Sequence, residues 1–283
     1  MISVVIAAGY ATRLGELTKN FPKPLLKIGN STILSRMLDD IDTIEDITEH
    51  VIVTNHKFAP LFEEWVKTPF GSPCLEGKLT GVAGKWKKPI TIIDDGSTTN
   101  DNRLGAVCDL LLVLESLDPS KSSLFRKDYD TPPMQGELEG VLVVAADNLL
   151  FFSFQEFVDF AKEKGTSCIM CHEQPEIEKL QRTGVVELDE NMKVLGMEEK
   201  PQVPKSHWAV PPFYIYMKKD LDLVRHSVEN GCGKDAPGNL AHYMVEHTVM
   251  HAWKMSAGRF DIGSLDTYKE AVERFGDPLS PPV

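Results

Sequence analysis

Apolar positions along this chain recur in two alternating rhythms. Short unbroken runs rich in β-branched residues read as strands buried on both faces. Longer stretches with apolar residues three and four apart read as helices with one dry face. Residues 2–7, 51–54, 90–94 and 140–146 are of the first kind. Residues 32–41, 60–67 and 104–117 are of the second, with Ser31 or Thr32 placed to cap the first of these helices. The alternation predicts an α/β fold: a Rossmann-like, mostly parallel mixed sheet flanked by helices on both faces. Ligands in such sheets sit at the carboxyl ends of strands, so the loops after Ala7 and Ala146 are the places to look.

After Asp147 the rhythm changes. Residues 154–164, 220–229, 240–247 and 268–275 read as helices, and residues 167–172, 184–188, 193–198, 212–217 and 249–255 as strands. Two stretches look inserted: 68–88, with Gly, Pro and Lys around Trp86, and 118–139, rich in Ser, Asp and Pro. Both are long for connections in a compact domain. The expected organisation is a single domain over residues 1–275, with halves 1–139 and 140–275. A loose tail, 276–283, ends in prolines.

Composition narrows the function classes. A chain of 283 residues can bury a substantial core. A formal net charge of −12 opposes binding to nucleic acid or to anionic membranes, although a local cleft can still be positive. No twenty-residue apolar run is present, so no membrane span is expected. The first residues read as a core strand rather than as a basic, apolar leader, and five scattered cysteines do not make a disulfide framework. A reduced, cytoplasmic setting follows as the expectation. Cys168-Ile169-Met170-Cys171-His172 has the spacing of a haem-attachment motif, but it lies in a predicted buried strand, and zinc lacks a second ligand pair.

The chemistry is concentrated near the start. The first strand runs into Ala8-Gly9-Tyr10-Ala11-Thr12-Arg13-Leu14, then Phe21-Pro22-Lys23-Pro24-Leu25-Leu26. Small residues let the backbone approach phosphates, and unpaired N–H groups in such a loop point at anions. Arg13 and Lys23 supply the charge that phosphoryl chemistry demands. Together these features are what a protein needs to hold a nucleoside triphosphate.

This stretch resembles the signature of the sugar-1-phosphate nucleotidylyltransferases (NDP-sugar pyrophosphorylases) of the GT-A-like nucleotidyltransferase superfamily. That signature reads roughly Ala-Ala-Gly-x-Gly-Thr-Arg-Leu, then Pro-Lys-Pro-Leu. Tyr10 fills the free position, and Ala11 replaces the second glycine, where a methyl group crowds phosphate or resists a positive φ. The resemblance runs from Ile2 to Tyr268. It implies a GT-A-like fold with a nucleotide-binding half (1–139) and an acceptor-binding half (140–275). It also implies Mg2+-assisted transfer from an NTP to a small phosphorylated acceptor, foremost a sugar 1-phosphate, with release of pyrophosphate.

Site residues carry over position by position. Arg13 and Lys23 are the implied catalytic residues, and Ala8, Gly9, Tyr10, Ala11, Thr12 and Arg13 the implied nucleotide loop. Asp147, after the fourth strand, and Asp261, in Arg259-Phe260-Asp261-Ile262-Gly263-Ser264, are the implied metal carboxylates. Glu199-Lys200-Pro201 resembles the acceptor motif, with Glu199 for sugar hydroxyls, Lys200 for phosphate and Gly184 lying close to the sugar. The segment from Asp94 to Ala106 keeps Leu104-Gly105-Ala106 but lacks the base-reading glutamine, so Asn102, Arg103 and Gly105 are the nucleotide-side candidates. An arginine at a helix start also fits an acidic neighbour, and Asp109 is one option. His56 reads as structural, because an acceptor phosphate needs no base. Two alternatives stay open: cytidylyl transfer to phosphocholine or a similar phospho-alcohol, and a catalytically weak nucleotide-binding regulator; a glycosyltransferase sharing this sheet would show an Asp-x-Asp motif, which Asp147-Asn148-Leu149 is not. The resemblance leaves homo-oligomerisation open.

Overall fold

The computed structural model describes residues 1–68, 86–117 and 139–276. In chain order its strands are β1 (Ile2–Ile6), β2 (Lys27–Ile28), β3 (Ser31–Thr32), β4 (Glu49–Thr54), β5 (Ile90–Asp94), β6 (Gly140–Ala145) and β7 (Asn148–Leu150). Then come β8 (Ser167–Glu173), β9 (Gly184–Leu188), β10 (Val194–Glu199), β11 (Trp208–Val210), β12 (Phe213–Met217), β13 (Met250–Lys254) and β14 (Arg259–Asp261). The helices are α1 (Glu16–Lys19), α2 (Ile33–Ile41), α3 (Ala59–Lys67), α4 (Ala106–Leu117), α5 (Phe154–Lys164), α6 (Ile177–Leu180), α7 (Asp222–Glu229), α8 (Pro237–His247) and α9 (Leu265–Phe275).

Ten strands make one mixed sheet in the order β10-β9-β11-β8-β12-β6-β1-β4-β5, with β13 beside β8. The neighbours β6, β1, β4 and β5 are parallel. β12 joins antiparallel between β6 and β8 and extends the sheet into the second half of the chain. Both faces are dry. Ile2 and Val4 of β1 enter one core with Val107, Leu110, Leu240 and Met244 from α4 and α8. Val5 enters the other with Leu34, Leu38, Phe62 and Phe157 from α2, α3 and α5. Successive strand side chains point to opposite faces, so a strand covered on both sides is apolar nearly throughout, and the buried Ser3 and His50 satisfy each other at 2.7 Å.

The same alternation disposes of the haem-like spacing. Cys168 packs into one core and Cys171 into the other, on opposite faces of β8. Both are fully buried, and burial pushes each thiol up to about 12.

Element boundaries follow local chemistry. Thr32 caps α2, its Oγ1 accepting the Ser35 N–H at 3.0 Å. α4 begins at Ala106 rather than at 104 because Gly105 takes φ +90°, outside the helical region. α8 begins before the periodic stretch because Pro237 stands in its first turn. α9 likewise starts at Leu265, where Ser264 and Thr267 form a reciprocal capping box. The strands β7, β11 and β14, three residues each, are too short to show a period. The inserted stretches 68–88 and 118–139 lie outside the described residues except at their ends, as does the tail beyond Gly276. No helix among the described residues is long and apolar enough to cross a membrane.

Burial and raised thiol values make Cys168 and Cys171 poor nucleophiles. Iodoacetamide at pH 8 is expected to leave both unmodified in the folded protein and to alkylate both in 6 M guanidinium, as read by peptide mass spectrometry. Rapid native labelling of either would contradict this packing.

Candidate active site

The loop after β1 is braced from three sides. The Ala8 carbonyl accepts a bond from Asn55 Nδ2 at 3.0 Å, and Asn55 is itself fully buried and receives the Phe58 N–H at 3.1 Å. Tyr10 turns sideways: its hydroxyl donates to the Ser97 carbonyl at 3.0 Å and its ring packs on Phe58. Thr18 Oγ1 donates to the Ala11 carbonyl at 2.9 Å. Gly9 is left bare, and a methyl group there would meet nothing within 4 Å. Ala11 adopts φ +46°, ψ +40°, the left-handed region that the replaced glycine would occupy freely. For an L-residue this conformation costs about 1–2 kcal/mol. The arginine that follows, Arg13, lines the cleft and has no ion-pair partner among the described residues.

Lys23 sits in a helical turn, Lys23–Leu25, entered through Pro22. The residue is 8% exposed, and its Nζ lies 3.0 Å from Asp147 Oδ2. Asp147 occupies the turn between β6 and β7. β7 pairs antiparallel with β14, placing Asp261 opposite Asn148, and the Ile262 N–H donates to the Asp147 carbonyl at 3.0 Å. This ribbon brings together two carboxylates that are distant in sequence. Asn148 Nδ2 donates to Asp147 Oδ1 at 2.7 Å, while Arg259 Nη1 donates to Asn148 Oδ1 and stands 3.9 Å from Asp261 Oδ1. Asp261 is open to the cleft on one side and crowded on the others. Burial, then the charge of Asp147, raise it above its usual carboxylate value, against the pull of Arg259, Lys23 and Arg13. Two adjacent hard-oxygen donors suit a cation such as Mg2+, which takes one or two carboxylates and fills its octahedron with phosphates and water. No cluster of three or more His, Cys, Asp or Glu suited to a metal occurs among the described residues.

A cleft of about 830 Å³ joins these groups to the second half of the chain. Gly184 and Glu199 face each other across β9 and β10. A methyl group on Gly184 would stand 3.2 Å from Glu199 Oε2, and one on Gly238, in the first turn of α8, would stand 1.9 Å from it. The two glycines therefore make room for the carboxyl group. Burial raises Glu199, with Lys200 opposing. Lys200 takes φ +51°, and its Nζ is 3.7 Å from Glu199 Oε1. His172, from β8, also lines the cleft. Burial, then Arg259, lower it to about 4, so its imidazole is neutral near pH 7, and its buried Nδ1 has no partner.

The segment before α4 is used internally. Asn102 Oδ1 accepts the Thr98 and Thr99 N–H groups at 3.0 and 2.9 Å. Arg103 lines the cleft but grips Asp235 with two bonds, 3.2 and 2.7 Å, and reaches Asn100 at 2.7 Å. Its acidic neighbour is thus Asp235, not Asp109. Asp109 is buried in α4, where burial and then the charge of Asp95 raise it well above its ordinary value. A methyl group on Gly105 would stand 2.6 Å from the Lys234 carbonyl, which instead receives the Val107 N–H at 3.0 Å. Gly105 is needed for that close approach.

Of the residues singled out from sequence, Gly9, Arg13, Arg103, Asp147, Gly184, Glu199, Lys200 and Asp261 line one cleft. Lys23 joins them through Asp147. Ala8, Tyr10, Ala11, Thr12, Asn102 and Gly105 are not among its lining residues. Sequence reasoning passed over Asn55 and Thr18, which brace the loop, the pairing of Asp235 with Arg103, and His172 and Arg259 in the cleft wall. Arg259 was legible as a cation two residues before Asp261; His172 was absorbed into the haem-like spacing.

A family model described as nucleotidyl transferase matches residues 2–111 and 124–277. A glucose-1-phosphate adenylyltransferase of Fervidobacterium nodosum is 23% identical over 289 residues, covering 99% of this chain and 62% of its own length. One from Acetivibrio thermocellus is 24% identical over 282 residues, covering 96% and 59%. The chain therefore spans about three-fifths of these relatives. Among solved structures, a UDP-glucose pyrophosphorylase complexed with UDP-glucose has a TM-score of 0.71 at 19% identity, covering 96% of this chain and 98% of that one.

Two outcomes follow from the strain and charge of the site. Ala11→Gly relieves a left-handed cost of about 1–2 kcal/mol and adds chain entropy to the unfolded state worth about 0.5–1. A net gain of about 0.5–1 kcal/mol is expected in urea unfolding, and a loss would show that Ala11 is unstrained. Asp261 has a folded value raised above its unfolded one, so ionisation destabilises the metal-free fold. That penalty is absent at low pH, grows as pH rises through the ordinary aspartate range, and is complete above the raised value. Asp261→Asn is therefore expected to melt higher than the parent at pH 7 in EDTA and equally at pH 3. A lower melting temperature at pH 7 would refute it.

Proposed function

The chain belongs to the nucleotidyl transferase family, and we propose that it transfers a nucleotidyl group from an NTP to a sugar 1-phosphate, releasing pyrophosphate. The observation that carries this reading is one cleft lined by Arg13, Asp147 and Asp261 and also by Gly184, Glu199 and Lys200. An acceptor phosphate oxygen attacks the α-phosphorus in line. The new P–O bond forms as the bond to the β-phosphate bridge breaks, and pyrophosphate departs with the electron pair. No general base is needed, because the acceptor phosphate is already anionic; the neutral His172 and the Asp94-bound His56 fit that economy. Catalysis then rests on positioning and charge.

Gly9 admits the triphosphate to the bare loop, Arg13 supplies charge to it, and Lys23 keeps Asp147 oriented while presenting its remaining N–H donors. Asp147 and Asp261 would hold Mg2+, which neutralises phosphate charge when bound. Glu199, seated between Gly184 and Gly238, accepts bonds from sugar hydroxyls, and Lys200 meets the acceptor phosphate. In this reading residues 1–139 serve the nucleotide and 140–275 the acceptor. The unbridged Cys108, Cys168, Cys171 and Cys232 fit a reducing, cytoplasmic setting.

Pyrophosphate release with Mg2+ tests the reading. ATP, CTP, GTP, UTP and dTTP are crossed with sugar 1-phosphates and with phosphocholine, beginning with ATP and glucose 1-phosphate, the pair suggested by the relatives' names. Release with a sugar 1-phosphate is the expected result. Release with phosphocholine alone would replace the acceptor class, and no release from any pair with NTP still bound would overturn the transferase reading. Lys23→Ala is expected to lower turnover by about two to three orders of magnitude, by analogy with other lost transition-state donors.

A further inference from the structure

The wall of the cleft between the Asp147–Asp261 pair and the Glu199 seat contains a cation that the transfer scheme above leaves unused. Arg259 lies on β14, two residues before Asp261, with its side chain 20% exposed. Its Nη1 is held by Asn148, which in turn bonds Asp147. Its Nε is buried without a partner. Its Nη2 makes no hydrogen bond to protein among the described residues, and the residue lines the cleft. The nearest carboxylate, Asp261, stands 3.9 Å away, beyond hydrogen-bond reach. A guanidinium taken this far out of water is costly unless its donors are matched. Here Nη1 is fixed by Asn148, while Nη2 keeps its donors unspent among the described residues.

Position identifies what would match it. Arg259 feels Asp261 and Asp147 on one side, and it shares Tyr214 as a neighbour with Glu199 on the other. In-line transfer requires the acceptor phosphate to lie between the carboxylates that face the triphosphate and the seat of the acceptor's body. Lys200 is the other cation at that seat, but it is more than half exposed and partly engaged by Glu199 at 3.7 Å. Arg103 is occupied by Asp235. A planar donor fork anchored at one end suits a tetrahedral phosphate better than a flexible ammonium does.

We propose that Arg259 binds the acceptor's phosphate, using the unspent Nη2 donors of its guanidinium to set the attacking oxygen beside the Asp147–Asp261 pair. The proposal rests on the transferase reading for the identity of the acceptor, but the anion site itself does not. Asn148 is its positioning partner, since it fixes the plane of the fork and ties that plane to Asp147.

The test compares the parent with Arg259→Gln and Arg259→Lys. With the acceptor found in the pyrophosphate screen, Arg259→Gln is expected to raise the acceptor KM on the order of 10- to 100-fold while changing the NTP KM less than about 3-fold. Arg259→Lys falls between, and added guanidinium ion partly restores Arg259→Ala, which a purely structural role would not show. A folded Arg259→Gln with unchanged acceptor KM overturns the proposal and leaves the transferase reading standing. If the parent turns over no acceptor, the transferase reading fails alone, and calorimetry with inorganic phosphate decides this one. Binding by the parent that weakens at least 10-fold in Arg259→Gln supports the site; equal binding, or none by the parent, overturns it. Should Arg259→Gln not fold, Arg259→Lys carries the same comparisons.

Discussion

The pairing of β7 with β14 is the contact on which the rest of the site depends. Each strand has three residues, and their ladder lies outside the ten-stranded sheet. It nevertheless sets Asp261 opposite Asn148, places Asp147 one residue away and brings Arg259 onto the same wall. Two like charges converge there, and the fold holds them together with the Ile262–Asp147 backbone bond and with Lys23. A small folding cost is thereby accepted at the point where a cation and phosphates would offset it.

The same logic extends along the cleft. Ala11 and Lys200 take left-handed backbone, Asp261 and Glu199 are raised by burial, and Arg259 keeps an unmatched nitrogen. Asp261 and Arg259 share β14, Glu199 ends β10 with Lys200 next to it, and these four line the cleft, whereas Ala11 lies in the loop after β1. Elsewhere caps are satisfied at Thr32, Ser153 and Ser264, and strand faces alternate between two cores, while Met192 also takes left-handed backbone and Asp109 is buried in α4.

Legibility in the sequence followed the range of the interaction. The parallel half of the sheet was visible because a strand covered on both faces is apolar nearly throughout, as residues 140–146 are and residues 2–7 are except at Ser3, whose hydroxyl meets His50 Nδ1 at 2.7 Å. Arg13, Lys23 and Asp147 were visible because loop chemistry follows strand ends. The three-residue strands carried no period, and β14 betrayed itself only through its motif. The fate of Arg103 was hidden for another reason: its partner Asp235 lies far along the chain, and nothing local marks the pair. Asn102 looked like a free amide and is consumed by its own turn. Asn55, whose buried amide fixes the Ala8 carbonyl, had the appearance of an ordinary strand-end polar residue.

The acidity of the whole chain bears on how such a cleft works. With a net charge of −12, the surface as a whole repels triphosphates, so attraction must be local. The fold localises it by pairing some cleft cations and sparing others. Arg103 is neutralised by Asp235 and Lys200 is shared with Glu199, whereas Arg13 has no ion-pair partner among the described residues. Lys23 is an intermediate case. Its ammonium has three donors and spends one on Asp147 at 3.0 Å, so an arriving phosphate need not break that pair. The pair can therefore persist through binding, holding Asp147 in place while positive charge still reaches the anion. In the proposed reading a buried lysine tied to a carboxylate thus orders this wall of the cleft and keeps two N–H donors for an anion.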